Sequence, residues 1–231
     1  MSLLLQIQTV PDSLTSPEIT EKTLSVVDLI TSGGIGGNLV MGALGILSIF
    51  AIYILIERFS AIKKASKEDE NFLKSIQNFV EAKDIEAAKT LCRNTDSPIS
   101  RMIEKGVNRI NKPMTDISAA IENQGKLEVF KMENNLANLA TISGAAPMIG
   151  FLGTVIGMIV AFHEMASAGG NIDVEMLSKG IYTAMTTTVA GLIVGIIAFI
   201  AYNYLVSKVD KVVFMLEAKT TEFLDLLHHN E

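Results

Sequence analysis

Three stretches of the chain are unbroken apolar runs, and the sequence around them repeats at helical spacing. Residues 39–56, 136–162 and 181–206 contain no Asp, Glu, Lys or Arg. About 20 apolar residues cross the hydrocarbon layer as a helix, so each run predicts a membrane span. Between the first two runs, Ile85, Ala88 and Leu91 fall on one helical face behind Asp84. Asp96-Ser97-Pro98 opens a further helix with the proline near its first position, and Asn111-Lys112-Pro113 breaks it. From Thr115 the pattern predicts helix without interruption into the second run, because Pro147 is the next breaker. After the third run, Val209, Val212, Val213, Leu216, Thr220, Phe223 and Leu227 form an apolar stripe with acids and lysines opposite. Such stripes serve either packing within the chain or a subunit interface, and the pattern leaves both open. The predicted fold is an all-α membrane protein with three transmembrane helices, the second and third extended into the cytoplasm.

The basic residues set the orientation. Fourteen of the 19 Lys and Arg lie within residues 57–135. Cytoplasmic loops carry the excess of Lys and Arg, so this segment is placed inside. An odd number of spans then puts the N-terminus outside. Residues 1–37 become a periplasmic segment with a short interfacial helix over 24–30. Residues 38–56 form the first span, 57–135 a cytoplasmic helical domain, and 136–162 the second span. Residues 163–180 form a periplasmic loop, 181–206 the third span and 207–231 a cytoplasmic helical tail. Glu57 and Arg58 mark the membrane–cytoplasm boundary after the first span. Leu3-Leu4-Leu5 is not read as a signal peptide, since no basic region precedes it and the run is short. Tyr182 and Tyr202 stand about 30 Å apart along a helix, which suits the two interfaces.

Composition narrows the function. Charged residues make up 19% of the 231 residues, against about 25% in soluble proteins. The net charge of −6 offers no basic footprint for nucleic acid. One cysteine, Cys92, and three histidines supply neither a disulfide scaffold nor a structural zinc site, so no metal and no cofactor is expected. Cys92 is expected to be packed or semi-exposed, and His163, His228 and His229 to lie at the surface. No G-x-x-x-x-G-K-[ST] loop is present, so ATP is not read as the energy source, and no H-E-x-x-H or nucleophile elbow points to an enzyme.

The unusual residues lie inside the spans. In the second run Ala146, Gly150 and Thr154 recur every fourth position, with Gly153 and Gly157 on a neighbouring stripe and Pro147 within it. In the third, Thr183, Thr187, Gly191 and Gly195 do the same, beside Thr186 and Thr188. Close packing of small faces, each Thr bonded to its own helix, accounts for such a pattern. A pore or tight channel lined by hydroxyls and ordered water accounts for it as well. A proton-driven machine needs an ionisable group at membrane depth. None stands in these runs, so another subunit would have to bring it.

Residues 146–162, Ala-Pro-Met-Ile-Gly-Phe-Leu-Gly-Thr-Val-Ile-Gly-Met-Ile-Val-Ala-Phe, resemble the APLLGLLGTVxGMIxAF signature of the ExbB/TolQ/MotA proton-channel family. Residues 53–59, 180–185, 190–192 and 201–204 resemble the first- and third-helix motifs of ExbB, so the likeness covers residues 26–205, and three spans fit ExbB and TolQ better than four-span MotA. The resemblance implies a homopentamer in the inner membrane whose second and third helices line a central pore. It implies an ExbD-like single-span subunit that brings a membrane Asp into that pore, and a TonB-like protein energised by the proton motive force. It places Thr154 and Thr188 among the pore threonines, with Thr183 and Thr187 beside them. Thr183 stands where many ExbB proteins have Glu. Either the partner's Asp alone handles protons, with hydroxyls and water as relay, or the ion differs. Na⁺ is the alternative to the favoured H⁺. TolQ-type, gliding or flagellar-type stators, and a scaffold without ion flux, are the rival roles.

Overall fold

The computed structural model describes residues 34–66, 70–167 and 174–229. The interfacial helix expected over 24–30 lies outside them. Seven helices fill the described residues: α1 (Gly34–Ala65), α2 (Glu70–Glu81), α3 (Ile85–Asn94), α4 (Pro98–Val107), α5 (Met114–Glu133), α6 (Leu136–Ser167) and α7 (Val174–His229). The three apolar runs sit within α1, α6 and α7, which pack into one bundle. Only 22–28% of each run is buried within the chain. That leaves broad apolar faces outward, the arrangement a lipid solvent favours. A helix suits this setting because it satisfies its own backbone groups.

Beyond the apolar runs the chain folds like a water-soluble domain. Phe72, Leu73, Ile76, Ala88, Cys92, Ile103, Ile117 and Ile121 are buried together with Phe223 and Leu227 of α7. Val209, Val212 and Leu216 are buried in the same core. The tail stripe therefore packs within the chain, and the first of its two readings describes it. Asp84 caps α3 by accepting the Ala87 N–H at 3.0 Å, and Ser97 caps α4 ahead of Pro98 through a reciprocal bond with Ser100. Gly106 lets α4 come close. A Cβ there would lie 2.7 Å from Ile121 and 2.9 Å from Phe223.

The continuous helix expected from Thr115 into the second span is corrected by a break at Asn134-Asn135. Asn134 turns extended (φ −52°, ψ 138°) and Asn135 adopts a positive φ of 65°. Asn is among the few non-Gly residues that visit the left-handed region readily, because its short amide bonds locally. Here Asn138 donates to the Asn135 side-chain oxygen at 3.3 Å. An Asn-Asn pair thus breaks the helix where no proline stands.

One buried charge organises this domain. Glu128 on α5 is 2% exposed. Arg101 of α4 donates to both its oxygens, at 3.1 and 2.7 Å, while Lys131 (2.9 Å) and Gln124 (2.7 Å) donate to Oε1. Burial alone would raise its pKa, but the hydrogen bonds from Arg101 and Lys131 outweigh it and hold the carboxyl below the ordinary glutamate range. Such a shift adds stability above the unfolded value of about 4.3, and that stability is lost as pH falls through the lowered one. Glu128→Gln should cost about 2 kcal/mol at pH 7, since Arg101 and Lys131 are partly solvated. The gap from wild type should close as pH drops below about 4.3, read as thermal unfolding of the detergent-solubilised protein.

Cys92 is 2% exposed, and burial, aided by the charge of Glu104, pushes its thiol up to about 12. The thiolate is the reactive form. Maleimide at pH 8 should leave Cys92 unlabelled in the folded protein and label it fully in denaturant. Fast labelling of the native state would contradict this packing.

Candidate functional site

The small faces of α6 and α7 meet as an antiparallel ladder. Reading down it, Ala161 faces Gly180, Gly157 faces Ala184, Gly150 faces Gly191, and Pro147 faces Gly195. The centre admits no Cβ. One on Gly150 would lie 2.7 Å from the Thr187 carbonyl oxygen, and one on Gly191 would lie 2.6 Å from that of Ala146. The helices touch backbone to backbone, as small residues permit within a membrane.

This approach brings hydroxyls onto carbonyls of the facing helix. Thr187 and Thr188 each donate to the Gly150 carbonyl at 3.1 Å. Thr187 shares that one proton with the Ala184 carbonyl of its own helix at 2.7 Å. Thr154 lies 3.3 Å from the Ala184 carbonyl and is hydrogen-bonded directly to the Thr188 hydroxyl. The three successive threonines thus separate. Thr186 bonds back to Tyr182 at 3.0 Å, Thr187 is buried in the seam, and Thr188 joins Thr154.

The position of α1 decides which side of the seam is open. Val40 and Leu44 pack on Ala146, and Val40 crosses Gly153 so closely that a Cβ there would lie 2.9 Å away. Thr183 stands on the α1 side of the seam, also half-buried, with its methyl 3.8 Å from where a Cβ on Gly37 would lie. Thr154 and Thr188 occupy the opposite edge, half-buried, with Phe151, Met185 and Leu192 exposed nearby. The structure therefore brings Thr154, Thr187 and Thr188 together with Gly150, and holds Thr183 toward α1.

Glu57 and Arg58 lie where α1 leaves its apolar run. Arg58 is 8% exposed, paired with Glu57, and its Nη1 donates to the Lys131 carbonyl at 2.9 Å. That carbonyl belongs to the last turn of α5, where a helix end leaves acceptors without partners. Arg58 thus ties the first span to the elbow at Asn134-Asn135. Sequence pattern could not find this, nor the Glu128 cluster, because the partners lie 73 and 27 positions apart.

A family model described as the MotA/TolQ/ExbB proton channel family matches residues 94–218. An ExbB homolog of Methanothermobacter thermautotrophicus is 26% identical over 80% of this chain and 64% of its own length. A biopolymer transport protein ExbB of Helicobacter pylori is 40% identical over 34% of this chain and 54% of its own. The chain thus spans less than two thirds of either. A Tol-Pal system protein TolQ of Pseudomonas aeruginosa is 24% identical over 92% of this chain and 96% of its own.

Gly150→Ala and Gly191→Ala should each force the seam apart and cost about 1–3 kcal/mol. Gly144→Ala, whose Cβ meets nothing within 4 Å, should be neutral. Loss of the monodisperse gel-filtration peak on heating would rank the three variants.

Proposed function

Because the chain belongs to the MotA/TolQ/ExbB proton channel family, we propose that it is the ion-channel and motor subunit of an ExbB–ExbD-type complex that uses the proton motive force to energise TonB-dependent transport across the outer membrane. The observation that carries this reading is the Thr154–Thr188 hydroxyl pair, on the open edge of a seam whose apolar runs hold no ionisable residue. In a homopentamer five such pairs would face the axis. The mobile charge then comes from a membrane Asp of an ExbD-like single-span subunit. That Asp is neutral in apolar surroundings and charged where it meets hydroxyls and water. One charge crossing 100 mV releases about 2.3 kcal/mol, enough to step the partner helix from one site to the next. H⁺ is favoured over Na⁺, because the partner's carboxyl carries a proton with no further ligand, whereas a hard cation needs about six oxygens gathered around it. On this reading the protein sits in the inner membrane with a periplasmic N-terminus and a cytoplasmic C-terminus, and a TonB-like protein receives the work.

A second reading, a TolQ-type stator in the Tol system, is favoured by the alignment to the Pseudomonas aeruginosa TolQ over nearly the whole of both chains. The partner recovered from native membranes separates the two. A TonB-like protein supports import, and a partner with a peptidoglycan-binding domain supports the Tol role.

Thr154→Val and Thr188→Val should lower energised uptake about tenfold or more with oligomer size unchanged on native gels, and Thr→Ser should restore it. Thr183→Val should have the smaller effect, since Thr183 sits on the α1 side of the seam. Uptake at the normal rate in both Thr154→Val and Thr188→Val would overturn the hydroxyl-relay reading.

A further inference from the structure

A cleft of about 860 Å³ opens between α1 and α7 just beyond the apolar runs. Its walls are residues 59–66 and 204–211, so it begins where the first and third spans both end. Its accessible apolar surface comes from Phe59 and Tyr204, with Ile62 and Leu205 buried behind them. On the bilayer side the rings of Phe59 and Tyr204 stack with centroids 6.3 Å apart, and the Lys208 ammonium sits 5.5 Å over the Tyr204 ring. Four lysines line the cleft: Lys63, Lys64, Lys208 and Lys211. Lys64 is paired with Asp96 at 2.6 Å. The other three form no ion pair with a carboxylate among the described residues. Ser60 and Ser66 add hydroxyls.

This is an amphiphilic cavity at headgroup depth, apolar beneath and cationic above. Basic pockets between transmembrane helices at this level suit anionic lipid headgroups. Lysines reach such a level readily, because the stem lies along apolar surface while the ammonium stays in the interface. We propose that the cleft binds an anionic glycerophospholipid of the adjoining leaflet, its phosphate held by Lys63, Lys208 and Lys211 and its glycerol and upper acyl chain against the exposed rings of Phe59 and Tyr204. A bound lipid there bridges the ends of the first and third spans and neutralises their like charges. The proposal rests on the membrane reading of the three spans and does not require ion conduction.

The test is native mass spectrometry of the detergent-solubilised protein, titrated with phosphatidylglycerol, phosphatidylcholine or inorganic phosphate. Phosphatidylglycerol should be retained, phosphatidylcholine should not, and excess inorganic phosphate should leave the adduct in place. Neutralising K63Q, K208Q and K211Q, singly and together, should lower retention about fivefold per lysine. The corresponding Lys→Arg variants should keep it, as should neutralisation of the exposed Lys105, Lys112 and Lys126. Gel filtration confirms that each variant is folded, and none is placed in the ion pathway. Equal retention by the triple Gln variant would overturn the proposal. So would displacement by inorganic phosphate, which would mark a free-anion site instead.

Discussion

The crossing of α6 over α7 at Gly150 and Gly191 is the contact from which the rest of the membrane part follows. With no side chain between them, the two backbones lie close enough for Thr187 and Thr188 to reach the Gly150 carbonyl at 3.1 Å. Any β-carbon at either glycine would meet a carbonyl oxygen of the facing helix at 2.6–2.7 Å. In a lipid solvent no hydrophobic drive pushes helices together. Adhesion comes from such short-range packing and from hydroxyls that find carbonyls across the seam. Because the approach is so close, the hydroxyl pair can sit at the edge of the seam instead of inside it.

Two kinds of physics share the helix α7. Its first half meets α6 through small residues, and its second half buries Val209, Val212, Leu216, Phe223 and Leu227 in the core of the domain beyond the apolar runs. At 1.5 Å per residue its 56 residues run about 84 Å. A single rod therefore joins the threonine seam to the domain outside the bilayer. Arg58 makes a second mechanical link, from the end of α1 to the α5–α6 elbow. The seam is thus connected to the outer domain twice, along α7 and through α6 at the elbow that Arg58 contacts.

The surroundings of the seam set its polarity. Val40 and Leu44 of α1 close one flank, and the opposite flank carries Thr154 and Thr188 among exposed Phe151, Met185 and Leu192. A face of this kind, apolar with one hydroxyl pair and no ionisable residue in its runs, leaves the choice of charge to whatever docks on it. Glu128 illustrates the opposite solution. In the water-solvated domain a buried carboxylate is held by donors from Arg101, Lys131 and Gln124 within the same chain.

The amino-acid sequence alone determined the three spans, because charge-free runs long enough to cross a bilayer have few other uses. It determined the caps at Asp84 and Ser97, the single rod of the third span and tail, and the small-residue faces, since all are local patterns of spacing. The family followed from residues 146–162 for the same reason. Tertiary structure decided what no periodicity encodes. It set Thr154 and Thr188 on the open edge and Thr183 on the α1 side of the seam, because the angle at which α1 packs lies outside the pattern of α6 or α7. It broke the helix at Asn134-Asn135, where a local amide bond and the Arg58 contact stabilise a turn that contains no proline. It assembled the Glu128 cluster and the lysine cleft from positions far apart in the chain, since buried charges find partners in space and not in sequence.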